Sequence, residues 1–235
     1  FALPLEIRSQ NVTEQVVETG TTQNEAKIPI NVDKNVATDV GGLDISLAST
    51  LMPTLTAPAQ QVLDEQTLPF LEPAASQLAI AAHLQTLSQR YGQSFASFNP
   101  PQQAVLALER LQKLQKPDGG FAAYPGAERS DPFVTPYAAE AIARANRAFT
   151  GGKLPAAASL VPTLTTYLQK TLADPGKYSY CKEALCKNQV RLQTLIALAA
   201  LDEPRNDFLA DLYAARNQFD PVDQIRLARY LSRFP

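Results

Sequence analysis

Tryptophan is absent from the 235 residues, histidine and methionine occur once each, and cysteine occurs twice. One histidine excludes most Ser–His–Asp, Cys–His and multi-histidine metal schemes, because each needs an imidazole beside specific partners. No uninterrupted apolar run reaches about 18 residues, so no segment reads as a membrane span and no membrane contact is expected. The net charge is −2 and the pI is near 5.5. That balance leaves no basic stripe able to neutralise phosphates, so no nucleic-acid partner is expected. Together these scarcities argue against an enzyme and call for no cofactor and no metal. The chain starts at Phe1 without a charged region followed by an apolar one, and it stops at Pro235 directly after a helical pattern. It reads as a piece of a longer protein, with any compartment signal outside it.

What is present divides in two. Residues 1–57 hold seven acids against three bases, a net −4, which leaves +2 for the remainder. In this first part apolar residues alternate: Leu3, Leu5 and Ile7; Val12 and Val16; Ile28, Ile30 and Val32; Leu43, Ile45 and Leu47. A spacing of two puts such side chains on one face of a strand. Gly20, Asp33–Lys34–Asn35 and Gly41–Gly42 supply turn chemistry between them. A small antiparallel β segment of about four strands is expected over 1–57. Asn11-Val12-Thr13 matches a glycosylation sequon, read here as an accident of composition.

Pro53, Pro58, Pro69 and Pro73 mark a transition, after which the period changes. Val105, Leu108, Leu111 and Leu114 step by three, and Leu160, Leu164, Leu168 and Leu172 step by four, as apolar stripes of helices. Asp131–Pro132 and Asp220–Pro221 each pair an N-cap acid with proline at the first helical position. Helices are predicted near 58–66, 73–90, 101–116, 132–148, 155–172, 184–201, 205–216 and 221–233, so the chain is mainly α. Leu111-Gln-Lys before Asp118-Gly-Gly-Phe121 and Leu168-Gln-Lys before Asp174-Pro-Gly-Lys-Tyr178 repeat at an offset of 57 residues. Such a period suits stacked helical hairpins in solenoids or closed toroids. Glycine takes positive φ without a Cβ clash, so Gly119–Gly120 is expected to close its helix, with Phe121 and Tyr124 packing over helix ends.

His83 lies among Leu78, Ile80, Leu84 and Leu87 with no catalytic company, and reads as a helix histidine, packed or at the surface. Cys181 and Cys186 are too few for a four-ligand zinc site. Five residues apart on one helix they would point about 140° from each other, so a bridge needs one of them outside the helix. Lys177–Tyr180 offers a loop for that, which favours a disulfide over two free thiols and suits an oxidising compartment. Arg226, Arg229 and Arg233 form a basic face on the last helix, read as solvated or as a contact to a further part of the protein.

The string Leu114-Gln-Lys-Pro-Asp-Gly-Gly-Phe-Ala-Ala-Tyr-Pro-Gly126, followed by Asp131-Pro-Phe-Val-Thr-Pro-Tyr-Ala-Ala-Glu-Ala141, resembles the thioester domain of bacterial alpha-2-macroglobulins. Ile28-Pro-Ile-Asn-Val32 and Gly41-Gly-Leu-Asp-Ile-Ser-Leu47 are similar to the CUB-type strands that lead into it. The resemblance implies a partial CUB-like β-domain over 1–57 and a partial α/α toroid over 58–235. It implies a periplasmic, cell-surface or secreted endopeptidase inhibitor whose partners are peptidases and other domains of the same parent. Thioester-forming members carry Tyr-Pro-Tyr-Gly-Cys-x-Glu-Gln at the domain entrance, where Cys and Gln condense. The matching stretch here is Leu68-Pro69-Phe70-Leu71-Glu72-Pro73-Ala74-Ala75, with Glu72 where Cys is needed and Ala74 and Ala75 for Glu and Gln. Without sulfur no acyl-sulfur bond forms, so the resemblance implies non-covalent trapping or a scaffold role. Terpene cyclases and prenyltransferases also use Gln…Asp-Gly-Gly-Phe turns on α/α toroids. Their Asp-rich or Asp–Cys–His motifs have no counterpart here. A cell-envelope scaffold without inhibitory activity is the further alternative.

Overall fold

Residues 17–31, 34, 42, 43, 45, 59, 68–92, 99–150, 154–177 and 181–234 are described by the computed structural model. Phe1–Leu47 and Ala48–Pro235 form separate compact units. In the first unit residues 17–31 are irregular and exposed. The strand expected from Ile28 is therefore missing over 28–31, and Ile28 and Ile30 stand in solvent. Apolar alternation alone does not make a strand, because its N–H and C=O groups need a neighbouring strand to pair with. Gly42, Leu43 and Ile45 likewise carry no strand. The strand positions from Leu3 to Val16, and Asn11 with them, lie outside the described residues. Of the helix expected over 58–66 only Ala59 is described, and it is helical.

The second unit carries seven α-helices among the described residues: α1 (Leu71–Tyr91), α2 (Pro100–Leu114), α3 (Val134–Ala148), α4 (Pro155–Ala173), α5 (Ala184–Ala200), α6 (Leu209–Ala214) and α7 (Pro221–Arg233). Their starts follow local chemistry. Asn99 caps α2 by accepting from Gln102 N–H at 3.2 Å, with Pro100 at the first position. Asp220 does the same for α7 through Asp223 N–H at 2.8 Å. Asp131 accepts from both Phe133 and Val134 N–H groups, and α3 starts two residues later than expected. α6 is shorter than the predicted 205–216 because Phe208 takes positive φ and breaks the helical path just before it. The Arg191 guanidinium covers the Phe208 ring at 3.9 Å and holds that turn in place.

Packing is layered. α1 adjoins α3, α3 adjoins α5 and α5 adjoins α7, while α2 adjoins α4; α1–α2, α3–α4 and α4–α5 pack as sequential neighbours. Ala74, Ala75, Ala81 and Ala82 of α1 and Ala138, Ala139, Ala141 and Ala145 of α3 are buried, which lets helix axes approach closely. The α4 stripe Leu160, Leu164, Leu168 and Leu172 is buried as expected. The α2 stripe is not: Val105 is exposed, and Ala104 and Ala107 join Leu108, Leu111 and Leu114 inside. Each step of three turns about 60° short of a full circle, so three such steps carry Val105 to the side opposite Leu114.

Candidate functional site

The Asp118-Gly-Gly-Phe turn organises one end of this bundle. α2 ends at Leu114 with Gln115 already extended, and Gln115 pairs in antiparallel fashion with Phe121. Gly119–Gly120 therefore does not close the helix, contrary to expectation. It reverses the chain beyond the end, with Lys116 N–H bonded to Gly120 C=O at 2.8 Å and Ala122 N–H to Leu114 C=O at 2.8 Å. Asp118 Oδ1 accepts from Gly120 N–H at 3.1 Å and Ser130 Oγ–H at 2.6 Å. Phe121 is fully buried, whereas Tyr124 is exposed rather than packed over a helix end. Thr135 Oγ1 accepts from Phe121 N–H at 3.1 Å, and Asp131 N–H donates to Phe121 C=O at 2.7 Å. The entry to α3 is thus bonded to the turn. The repeat's second copy is built differently: Asp174 is followed by a 3-10 turn, Pro175–Lys177.

Leu68, Pro69 and Phe70 are exposed and non-helical, and Leu71 opens α1 fully buried. Leu71 N–H donates to Ala123 C=O at 2.9 Å, so residues 68–75 open the helix against the loop that follows Phe121. Ala74 and Ala75 face inward and Glu72 faces solvent. Ser76 Oγ donates to Glu72 Oε1 at 2.9 Å and shares a hydrogen bond of 3.0 Å with Tyr137 OH. Exposed Leu68, Phe70, Tyr124 and Tyr137 lie on this same loop-and-helix junction. Sequence reasoning missed Ser76 and Tyr137. The i, i+4 spacing of Glu72 and Ser76 was the signal for one of them. The junction offers a carboxylate and two hydroxyls but no thiol.

The remaining candidates stand apart. Cys181, fully buried, and Cys186, in the first turn of α5, are joined as a disulfide with Cα atoms 5.4 Å apart, packed on Val190 and Phe133. A cavity of about 540 Å³ opens between the Asp118 turn, Glu128–Ser130 and Lys177. Among the described residues no group of three His, Cys, Asp or Glu could hold a metal ion, and no helix is long and apolar enough to cross a membrane.

His83 lies on the exposed side of α1, where Arg144 Nη1 donates to its Nε2 at 3.1 Å. Burial first, and the Arg144 charge second, hold its pKa below the ordinary 6.5. Arg144 also pairs with Glu140 at 3.4 Å. Burial pushes the Glu140 carboxyl up against the pull of Arg144, Arg226 and Arg229. A histidine with a depressed folded pKa binds its proton more readily when unfolded, so its contribution is present above about pH 6.5 and is lost as pH falls. Urea midpoints should drop between about pH 7.5 and 5.5, and His83→Gln should flatten that drop. An unchanged slope in the variant would remove His83 as the cause.

No protein-family model matches the chain. An alpha-2-macroglobulin homologue from a Nostoc species is 56% identical over 240 aligned residues, covering 100% of this chain and 12% of the relative. The crystal structure of Salmonella alpha-2-macroglobulin reacted with methylamine shares the fold with a TM-score of 0.59 at 20% identity, over 75% of this chain and 12% of that one. The chain thus spans about an eighth of the length of the proteins it matches. Since the identity with the Nostoc homologue runs through the whole chain, these 235 residues belong to the alpha-2-macroglobulin family.

Proposed function

We propose that this chain is the thioester-type segment of an alpha-2-macroglobulin-like endopeptidase inhibitor that works without an internal thioester, by non-covalent trapping of the peptidase. The observation that carries this reading is the Leu71 N–H···O=C Ala123 bond, which joins the degenerate stretch Leu68–Ala75 to the Phe121–Pro125 loop. On this reading the junction takes the place of the family's reactive loop, with Glu72 where the thiol would stand; within these 235 residues no cysteine precedes Cys181. Condensation of a thiol with a carboxamide needs the sulfur, so the junction forms no acyl-sulfur bond. Alternation of α1, α3, α5 and α7 against α2 and α4 supports a partial α/α toroid as the architecture. Residues 1–57 would be part of a CUB-like domain, and Leu68, Phe70, Tyr124 and Tyr137 would pack on another domain of the parent. The disulfide suits a periplasmic, cell-surface or secreted protein.

The test uses the full-length parent. Incubation with labelled methylamine should leave no label in this segment. A peptidase that has cut the parent should keep cleaving a small peptide substrate while losing activity on a large protein. Methylamine incorporation here would overturn the thioester-free reading. Full activity on the large substrate would overturn trapping in favour of a scaffold.

A further inference from the structure

Helix α7 buries one side and leaves the other with a composition that its surroundings do not use. Asp223, Leu227 and Tyr230 are buried. Val222 and Ile225 are exposed at 59% and 69%. At about 100° per residue, Val222, Ile225, Arg226, Arg229 and Arg233 fall within an arc of about 100° on the side away from the core. Two aliphatic side chains thus share one stripe with three guanidinium groups.

The charges on that stripe are incompletely answered from within the described residues. Arg226 has Asp223 at 3.7 Å, on the flank of the same helix. Arg229 and Arg233 make no ion pair among the described residues, and Arg233 sits 5.4 Å over the Phe234 ring. Glu140 on α3 feels Arg226 and Arg229, but Arg144 already pairs with it at 3.4 Å. The stripe runs from two aliphatic side chains at the N-terminal end of the helix to three guanidinium groups toward its C-terminal end, although the whole chain is net negative.

We propose that this stripe of α7 is a docking surface for an acidic, aliphatic segment of a polypeptide partner. Charge complementarity selects the occupant. Carboxylates accept paired N–H bonds from guanidinium forks, and the arginine stems lie along the partner's aliphatic side chains. A membrane fits less well, since two aliphatic side chains without tryptophan bury too little area for insertion. A nucleic acid fits less well because the chain as a whole would repel it.

The test uses the full 235-residue chain and a synthetic helical peptide of about 20 residues, with leucine at i, i+3 and i+4 positions flanked by glutamate. A matched peptide has lysine for each glutamate. In fluorescence anisotropy the glutamate peptide should bind at least about tenfold tighter than the lysine peptide, and rising salt should weaken it. Arg229→Glu with Arg233→Glu should lower affinity about tenfold or more, and Ile225→Ser about fivefold. Both changes lie on exposed positions, and circular dichroism checks that helicity is kept. Should the double variant lose helicity, Arg229→Gln carries the same test. Equal binding of the two peptides, or no loss in the variants, overturns the proposal. Binding of phosphatidylglycerol vesicles with the same variant sensitivity, without peptide binding, also overturns it, in favour of a lipid surface.

Discussion

Phe121→Ala, which truncates the largest fully buried side chain among the described residues, is expected to cost about 3–5 kcal/mol of folding stability. Phe121 is a fully buried side chain at the end of the turn after α2, and its backbone bonds hold Asp131 and Thr135 at the entry to α3. Removing the ring deletes its transfer free energy and leaves a cavity lined by a turn that is itself tied on several sides. Partial collapse is therefore the limit of what relaxation can recover. For a unit of this size the change is equivalent to a fall of roughly 6–20 °C in Tm. Urea and thermal unfolding followed by circular dichroism would measure it, with Phe121→Leu as the milder comparison. A loss under about 1 kcal/mol would show that the ring is not a packing centre.

Gly119→Ala follows at about 3 kcal/mol or more, for two reasons that add. Gly119 has φ of 92°, a conformation that costs an L-residue about 1–2 kcal/mol. An added Cβ would also run into the Thr163 carbonyl of α4, a backbone atom that cannot rotate away. Gly126 separates the two contributions. It has φ of 85°, yet a Cβ there meets nothing within 4 Å. Gly126→Ala should therefore lose only the backbone part, about 1–2 kcal/mol. Equal losses at both positions would mean that the approach to Thr163 is not the constraint.

The helices were legible because their signals are local. Proline after Asp220, and the four-step leucines of α4, specify starts and faces without reference to anything distant. The errors lie where distant partners decide. The sequence around Gly119 suggests a helix cap, but its neighbour in space is Thr163, more than forty residues along, and proximity to α4 is what excludes a side chain there. A spacing of three points Val105 inward although it slowly rotates around α2, while Ala104 and Ala107 are too small to signal burial by hydrophobicity. The alternation at Ile28 and Ile30 carried no information about a partner strand. At the junction, Leu68–Ala75 was placed by resemblance, whereas its bond to Ala123 and the Ser76–Tyr137 contact join residues far apart in sequence. No periodicity records such pairs.

The alanine face of α3 has a consequence for how this helix tolerates change. Ala138, Ala139, Ala141, Ala143, Ala145 and Ala148 are all buried. A leucine core can be trimmed by degrees, each step opening a little space. At these positions there is no intermediate size to visit. Shortening reaches glycine at once and loses about 1 kcal/mol of helix propensity. Any enlargement pushes a neighbouring axis outward, at about 1–3 kcal/mol. The helix is bounded on both sides, so adaptation to a new neighbour has to come from the partners of α3, whose longer side chains can still be exchanged.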